Sequence, residues 1–294
     1  MLKRSLFFET PCLLSMRNQQ LIINLTGSET RQVPIEDIGF IVIENQQISI
    51  TIPCMNALVE NNVAIIYCND KHLPVSMLMS LDGNHVQGEL FRKQIELTST
   101  QKGKLRKQTI EAKIKNQMTV LKALKLDHQM LYPILKNVKV GDSDNREGVA
   151  ARLYWSQMFG PDFVRNRYGN APNELLNYGY TLLRAATARS LIGSGVLPSF
   201  GIFHKNRYNA YPLADDIMEP YRPFVDIIVH DLYQQEMQFV TKETKAALMH
   251  LFTQDVKFKR TLRPLMIGLT HTTASLARYI TEKGTELEYP ELVL

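Results

Sequence analysis

The chain changes texture once, and that change limits what it can fold into. Up to about residue 75 its apolar residues come in short β-branched runs. Segments 21–25, 39–43, 48–52 and 63–67 are strand-sized, with turn formers at Thr26-Gly27-Ser28, Glu44-Asn45-Gln46 and Cys68-Asn69-Asp70 between them. Pro53 followed by Met55, Leu58 and Val59 predicts a short helix between two of these strands. Beyond Pro74 helical spacing dominates. Helices are predicted over 84–98, 105–126, 145–159, 172–192, 213–235, 242–253 and 262–282, with stops at Gly160-Pro161, Gly193-Ser194-Gly195 and Gly284. Residues 197–212 read as a loop, and the acidic stretch 286–291 as a loosely held end. The fold class is α+β: a small N-terminal β-rich domain over 1–76, followed by a larger all-helical domain over 77–294.

Several classes of protein are excluded early. A 45% hydrophobic and 21% charged composition is that of a folded chain, not a disordered one. No apolar run approaches the roughly 18 residues that cross a bilayer. The segment from Met1 to Glu9 is basic, but its apolar part is too short for a signal peptide. Cys12, Cys54 and Cys68 are odd in number and lack metal-site spacing, which fits free, packed thiols in a reducing cytoplasm.

The net charge of +5 hides its own distribution. Between Arg92 and Lys125 lie ten Lys or Arg against Glu96 and Glu111. On a helix, positions 104, 107, 111, 115, 118 and 122 form a mostly basic stripe, suited either to nucleic-acid phosphates or to ordinary solvation. The pairs Arg165/Arg167 and Lys205/Arg207 add smaller basic points.

Glu147, His204 and the pair Asp216/Glu219 are the candidates for chemistry. Each has a plain alternative. Asp144-Asn-Arg-Glu147 and Asp216-Ile-Met-Glu219 both have the spacing of a helix-capping box, and His204 reads equally as a surface histidine. Yet Asp216 and Glu219 can project from one helical turn, where like charges repel unless a cation or proton lies between them. Pro220 and Pro223 then kink or restart the helix and fix where that turn points. Joined by Glu147 and a neutral imidazole, they would make an oxygen-rich site suited to Mg²⁺ or Mn²⁺ rather than structural Zn²⁺. Spacing alone does not bring these residues together.

Three stretches carry a family resemblance: Arg146-Glu-Gly-Val-Ala-Ala-Arg-Leu-Tyr-Trp155, Asn173-Glu-Leu-Leu-Asn-Tyr-Gly-Tyr-Thr-Leu-Leu183, and the segment from His204 to Asp226 with its Leu-Ala-Asp-Asp-Ile-Met-Glu-Pro core. The chain resembles, over its whole length, the CRISPR-associated integrase of spacer acquisition, in wording most like the type II form. The resemblance implies a metal-dependent DNA endonuclease that inserts short foreign duplexes into the CRISPR array. In that reaction a 3′-hydroxyl attacks a phosphodiester at the repeat boundary. It implies Glu147, His204 and Glu219 as catalytic metal ligands for Mg²⁺ or Mn²⁺. Glu219 stands where many relatives have aspartate, and Asp216 is left open as a further ligand. Lys102, Lys104, Arg106, Lys107, Lys115, Arg165, Arg167, Lys205 and Arg207 become the expected DNA contacts. The implied partners are double-stranded DNA, a second copy of the chain paired through the β domain, and a small ferredoxin-like CRISPR-associated dimer bridging two homodimers. Other type II proteins are further partners, and no membrane is involved. Two other readings stay open: a repair nuclease acting on branched junctions, and a non-catalytic DNA-binding scaffold.

Overall fold

A computed structural model of the chain describes residues 4–25, 27, 29–70, 72, 74–80, 82–204, 206–282 and 286–293. These residues fall into two compact units, Met1–His85 and Val86–Leu294.

The first unit holds two four-stranded sheets. In one, β1 (Arg4–Phe8) runs parallel to β5 (Ile38–Ile43), which runs parallel to β7 (Ala64–Cys68). The antiparallel β8 (Pro74–Leu78) closes that edge. All six residues of β5 are buried, as an uninterrupted apolar run in a parallel sheet should be. In the other sheet, β2 (Cys12–Arg17) pairs with β3 (Gln20–Leu25), and β4 (Arg31–Pro34) and β6 (Ser49–Ile50) flank them. The β2–β3 connection turns on Asn18 and Gln19, both at positive φ, the geometry that matches the strand twist in a two-residue hairpin. Helix α1 (Ile52–Glu60) fills the predicted place between β6 and β7, and it packs Cys54 and Leu58 against Leu14, Leu21, Ile41 and Ile65. All three cysteines are buried thiols. A boundary at 76 would cut through β8, whose pairing with β7 holds that segment in the first unit.

The second unit is mostly helical: α2 (Gln87–Ile95), α3 (Ser99–Ala123), α4 (Tyr132–Lys136), α5 (Arg146–Phe159), α6 (Asn173–Gly193), α7 (Pro212–Met218), α8 (Arg222–Gln234), α9 (Lys242–His250) and α10 (Leu265–Glu282). It is not all-helical, which corrects the sequence reading. Strands β9 (Asp255–Phe258) and β10 (Thr261–Pro264) form a hairpin, and β11 (Glu291–Leu292) joins its other edge. Val256 and Phe258 are buried while Asp255 and Lys257 are exposed, a period of two hidden inside four residues. The acidic end is not loose either. Leu287 N–H donates to Gln108 Oε1 at 2.7 Å, the Tyr289 and Thr109 hydroxyls lie 2.9 Å apart, and Glu288 pairs with His271 at 2.7 Å and Arg278 at 3.0 Å. Among the described residues no helix is long and apolar enough to cross a membrane.

Candidate active site

The site is built on α3. Thr98 caps this helix in a reciprocal box with Gln101, and its buried face runs through Leu105, Ile110, Ile114, Gln117 and Leu121. Lys113 lies on that same face. Its ammonium sits between two carboxylates, 2.7 Å from Glu147 Oε1 and 2.6 Å from Glu219 Oε2.

Glu147 is free to reach Lys113 because other groups satisfy the start of its helix. Asn145, at φ 53°, caps α5 by accepting from Gly148 N–H at 3.3 Å. Asp142 accepts from the N–H groups of Arg146 at 2.7 Å and Glu147 at 3.3 Å. Asp144 is drawn off to Arg146 and Lys139. The capping box suggested by Asp144 and Glu147 is therefore not formed, and the Glu147 carboxylate is left over.

Asp216 and Glu219 serve different partners, although they are three residues apart. The predicted single helix breaks between them: α7 ends at Met218, a 3-10 turn spans Glu219–Tyr221, and α8 restarts at Arg222 with Pro223 in its first turn. Glu219 is buried between Lys113 and Arg222, whose Nη2 lies 2.9 Å from Oε1. Burial alone would push the Glu219 carboxyl up, but Arg222 and Lys113 outweigh it and hold the group below its usual range. Lys113 is the mirror case. Burial acts downward on its ammonium, and Glu219 and Glu147 reverse that, so the group stays charged.

Asp216 organises the loop that carries His204. It is fully buried, and its Oδ2 accepts from Ile202 N–H and from Phe203 N–H, the latter at 3.1 Å. Oδ1 accepts from His204 N–H at 3.1 Å and from the His204 ring at Nδ1. That hydrogen bond raises the imidazole pKa against the opposing effect of burial. Gly201 permits this wrap, since a Cβ there would meet the His204 carbonyl oxygen at 2.6 Å and Pro212 at 2.9 Å. Gln94 on α2 ties the same loop down, donating to Leu197 O at 2.9 Å and Phe200 O at 3.1 Å and accepting from Leu197 N–H at 3.0 Å. Both oxygens of Asp216 are thus occupied in fixing His204.

Among the described residues no three His, Cys, Asp or Glu side chains are gathered closely enough to hold an ion. The donor set still suits a hard divalent cation. Two carboxylates, Glu147 and Glu219, converge on one positive charge, and the histidine has its Nδ1 anchored by a carboxylate. This is how a ligating imidazole is oriented to offer Nε2.

The expected DNA contacts divide. Lys104, Lys115, Arg167 and Arg207 are exposed and Lys102 is half-buried. Arg106 lies 3.8 Å from Asp142 and over the Phe203 ring, and Lys107 lies 3.7 Å from Glu111. Arg165 is engaged inside the chain, donating to Asn166 O at 3.1 Å, Asn173 Oδ1 at 3.0 Å and Asn177 Oδ1 at 2.7 Å. Lys205 lies outside the described residues. Lys113 and Arg222 were not singled out from sequence. The one signal for Lys113 was its register, a lysine in the apolar seam of a long helix.

Behind Arg222 lies a second buried acid. Asp226 on α8 accepts from the Tyr180 hydroxyl and, at 3.1 Å, from Tyr154 OH. It lines a cavity of about 50 Å³ together with Lys113, Gln117, Arg165, Tyr180 and Arg222. Burial pushes its carboxyl from 3.8 up to about 7, against the pull of the two hydroxyls and of Arg165 and Arg222. The folded chain therefore holds a proton that the unfolded chain releases near pH 4. The stability this contributes is complete below that value and is lost as pH rises through about 7. The shift corresponds to roughly 4 kcal/mol. The native melting temperature should fall between about pH 4 and 7, and Asp226→Asn should flatten that fall. Calorimetry across this range checks it; parallel profiles for the two proteins would show that Asp226 is ionised in the folded state.

Comparisons with known proteins agree with this architecture. The family model described as CRISPR associated protein Cas1 matches residues 6–256. The CRISPR-associated endonuclease Cas1 of Neisseria meningitidis serogroup C (strain 8013) is 34% identical over 295 residues, covering 99% of this chain and 96% of its own length. Two solved structures share the fold. One is a casposase bound to integration product, with a TM-score of 0.77 and 19% identity over 98% of this chain and 92% of that one. The other is a Cas6-RT-Cas1–Cas2 complex, with a TM-score of 0.73 and 19% identity over 96% of this chain and 35% of that one. With a family model spanning both units and a full-length relative above 30% identity, the chain belongs to the Cas1 family of CRISPR-associated proteins.

Proposed function

We propose that this chain is a CRISPR adaptation integrase of the type II form, a divalent-metal-dependent DNA endonuclease and transesterase acting in the cytoplasm. One observation carries the reading: the Glu147 and Glu219 carboxylates, from separate elements, converge on a single cation, and His204, whose charge interacts with that of Glu219, is locked by Asp216. Glu147, His204 through Nε2, and Glu219 would hold Mg²⁺ or Mn²⁺. Bound there, the ion supplies charge stabilisation at the scissile phosphate. Asp216 keeps the proton on His204 Nδ1 and so leaves Nε2 its lone pair. Arg222 fixes the direction of Glu219. The 3′-oxygen of an incoming duplex forms a new bond to phosphorus at the repeat boundary, and the bond to the repeat strand's own 3′-oxygen breaks. Water in place of that hydroxyl gives cleavage.

Exposed Lys104, Lys115, Arg167 and Arg207, with Lys102, would hold DNA phosphates without reading sequence. The family resemblance implies a homodimer paired through the β unit, bridged to a second one by a small ferredoxin-like dimer, with other type II proteins assisting. The fold shared with a Cas6-RT-Cas1–Cas2 complex supports a Cas2-type partner. The fold shared with a casposase solved on its integration product supports insertion over junction repair.

Alanine at Glu147, His204 or Glu219 should lower strand transfer into a repeat-bearing plasmid by at least about a hundredfold while duplex binding persists. EDTA should do the same to the native chain. Retained transfer in all three variants would remove these residues from the site. Metal-independent binding with no cleavage in Mn²⁺ would mark a scaffold, and activity on branched junctions lacking any repeat would mark a repair nuclease.

A further inference from the structure

We infer that Lys113 is a tethered placeholder cation: its ammonium occupies the point where Glu147 and Glu219 converge, and a divalent ion binds there by displacing it. The inference rests on the proposed metal reading of those two glutamates. Each aims one oxygen at the same ammonium, at 2.7 and 2.6 Å. A small divalent ion would take oxygens at about 2.1 Å from that same locus, so the lysine and the ion compete for one place. The side chains of Lys113, Glu147 and Glu219 are 11%, 19% and 4% exposed, so water screens the contact with Glu219 less than that with Glu147. Lys113 supplies the positive charge on which both carboxylates close.

The surroundings allow the exchange. Arg222 holds the other oxygen of Glu219 at 2.9 Å, so this carboxylate keeps its orientation when the ammonium leaves. Lysine carries its charge on a flexible four-carbon stem, and the ammonium can swing while α3 stays in place. The cavity of about 50 Å³ lined in part by Lys113, Gln117 and Tyr180 provides the space. Arginine would be a poorer placeholder, since its planar fork would lock bidentately onto a carboxylate and leave less readily. The consequence is a deliberate weakening: the native chain binds metal less tightly than its carboxylates alone would.

The test is a calorimetric titration of the full chain with Mn²⁺, paired with melting curves in EDTA and in Mn²⁺. Lys113→Met should bind Mn²⁺ about tenfold tighter than the native chain, within the range usual for coupled ligands. It should melt lower in EDTA, and Mn²⁺ should raise its melting temperature by more than it raises that of the native chain. Lys113→Gln should show the same order and stands in if Lys113→Met does not fold. Glu219→Gln, combined with either background, should abolish the binding. Lys113 variants that bind Mn²⁺ no more tightly than the native chain would overturn the placeholder role. If Glu219→Gln still abolishes binding in that case, the metal reading survives. Absence of Mn²⁺ binding from the native chain and every Lys113 variant would overturn both.

Discussion

Replacing Asp216 by asparagine is expected to abolish strand transfer as fully as removing His204, while leaving a folded protein. Asp216 receives four hydrogen bonds, from the N–H groups of Ile202, Phe203 and His204 and from the His204 ring. An amide offers one oxygen and one NH₂ where the native group offers two acceptors. If its oxygen keeps the Ile202 and Phe203 donors, its NH₂ faces His204. The ring then accepts at Nδ1 and its proton moves to Nε2, the atom needed as a ligand. Alanine goes further and strands three N–H donors in the loop, that of Ile202 buried. It should cost about 3–5 kcal/mol, because a fully buried charged acceptor is lost and its donors remain. In a unit of this size that lowers the melting temperature by about 10 °C. Calorimetry and a strand-transfer assay on the two variants separate loop anchoring from tautomer control. Full transfer by Asp216→Asn would show that the imidazole is oriented by something else.

The same residues show what the sequence could and could not disclose. Helices α5 and α6 were legible because apolar spacing and a glycine stop mark them locally, and β5 and β7 because a buried parallel strand is a plain β-branched run. Strands β9 and β10 were not, because each is four residues long and β10 runs directly into the apolar pattern of α10. At the site, spacing left the glutamates open between helix caps and an oxygen-rich cation site, and His204 open to a surface role, while the resemblance implied Glu147, His204 and Glu219 as ligands. The capping alternative for Glu147 failed for a reason no local window holds: Asp142, from the preceding turn, takes the donors that Asp144 was expected to take. Asp216 was left open as a ligand, and its engagement follows from a loop that folds back over it. Lys113 lies 34 residues from Glu147 and 106 from Glu219, and a pairing across such distances leaves no trace in hydrophobic periodicity.

Asn116 carries the second large expectation, and it follows from the chain end that composition alone suggested was loose. Its side chain is buried and fully used. Nδ2 donates to Pro220 O at 2.8 Å and to Pro290 O at 3.0 Å, while Oδ1 accepts from Leu292 N–H at 3.1 Å. One amide therefore clamps the last strand and the turn that begins with Glu219 onto the same helix as Lys113. Leucine has a similar shape but leaves two carbonyls and an N–H buried without partners. The expected loss is about 3–5 kcal/mol, since each stranded group carries its own desolvation penalty. Aspartate should be worse than leucine, because its second oxygen would face two carbonyl oxygens in a dry environment. Two further effects distinguish the clamp from a generic core residue. Limited proteolysis should cut within the described tail, residues 286–293, in Asn116→Leu at temperatures where the native chain resists, because β11 loses its anchor before the helices melt. Strand transfer should fall even at temperatures where the variant is folded, because the Pro220 carbonyl no longer fixes the turn presenting Glu219. A variant that melts with the native chain, keeps its C-terminal strand protected and transfers strands normally would show that the turn and the tail are held independently of Asn116.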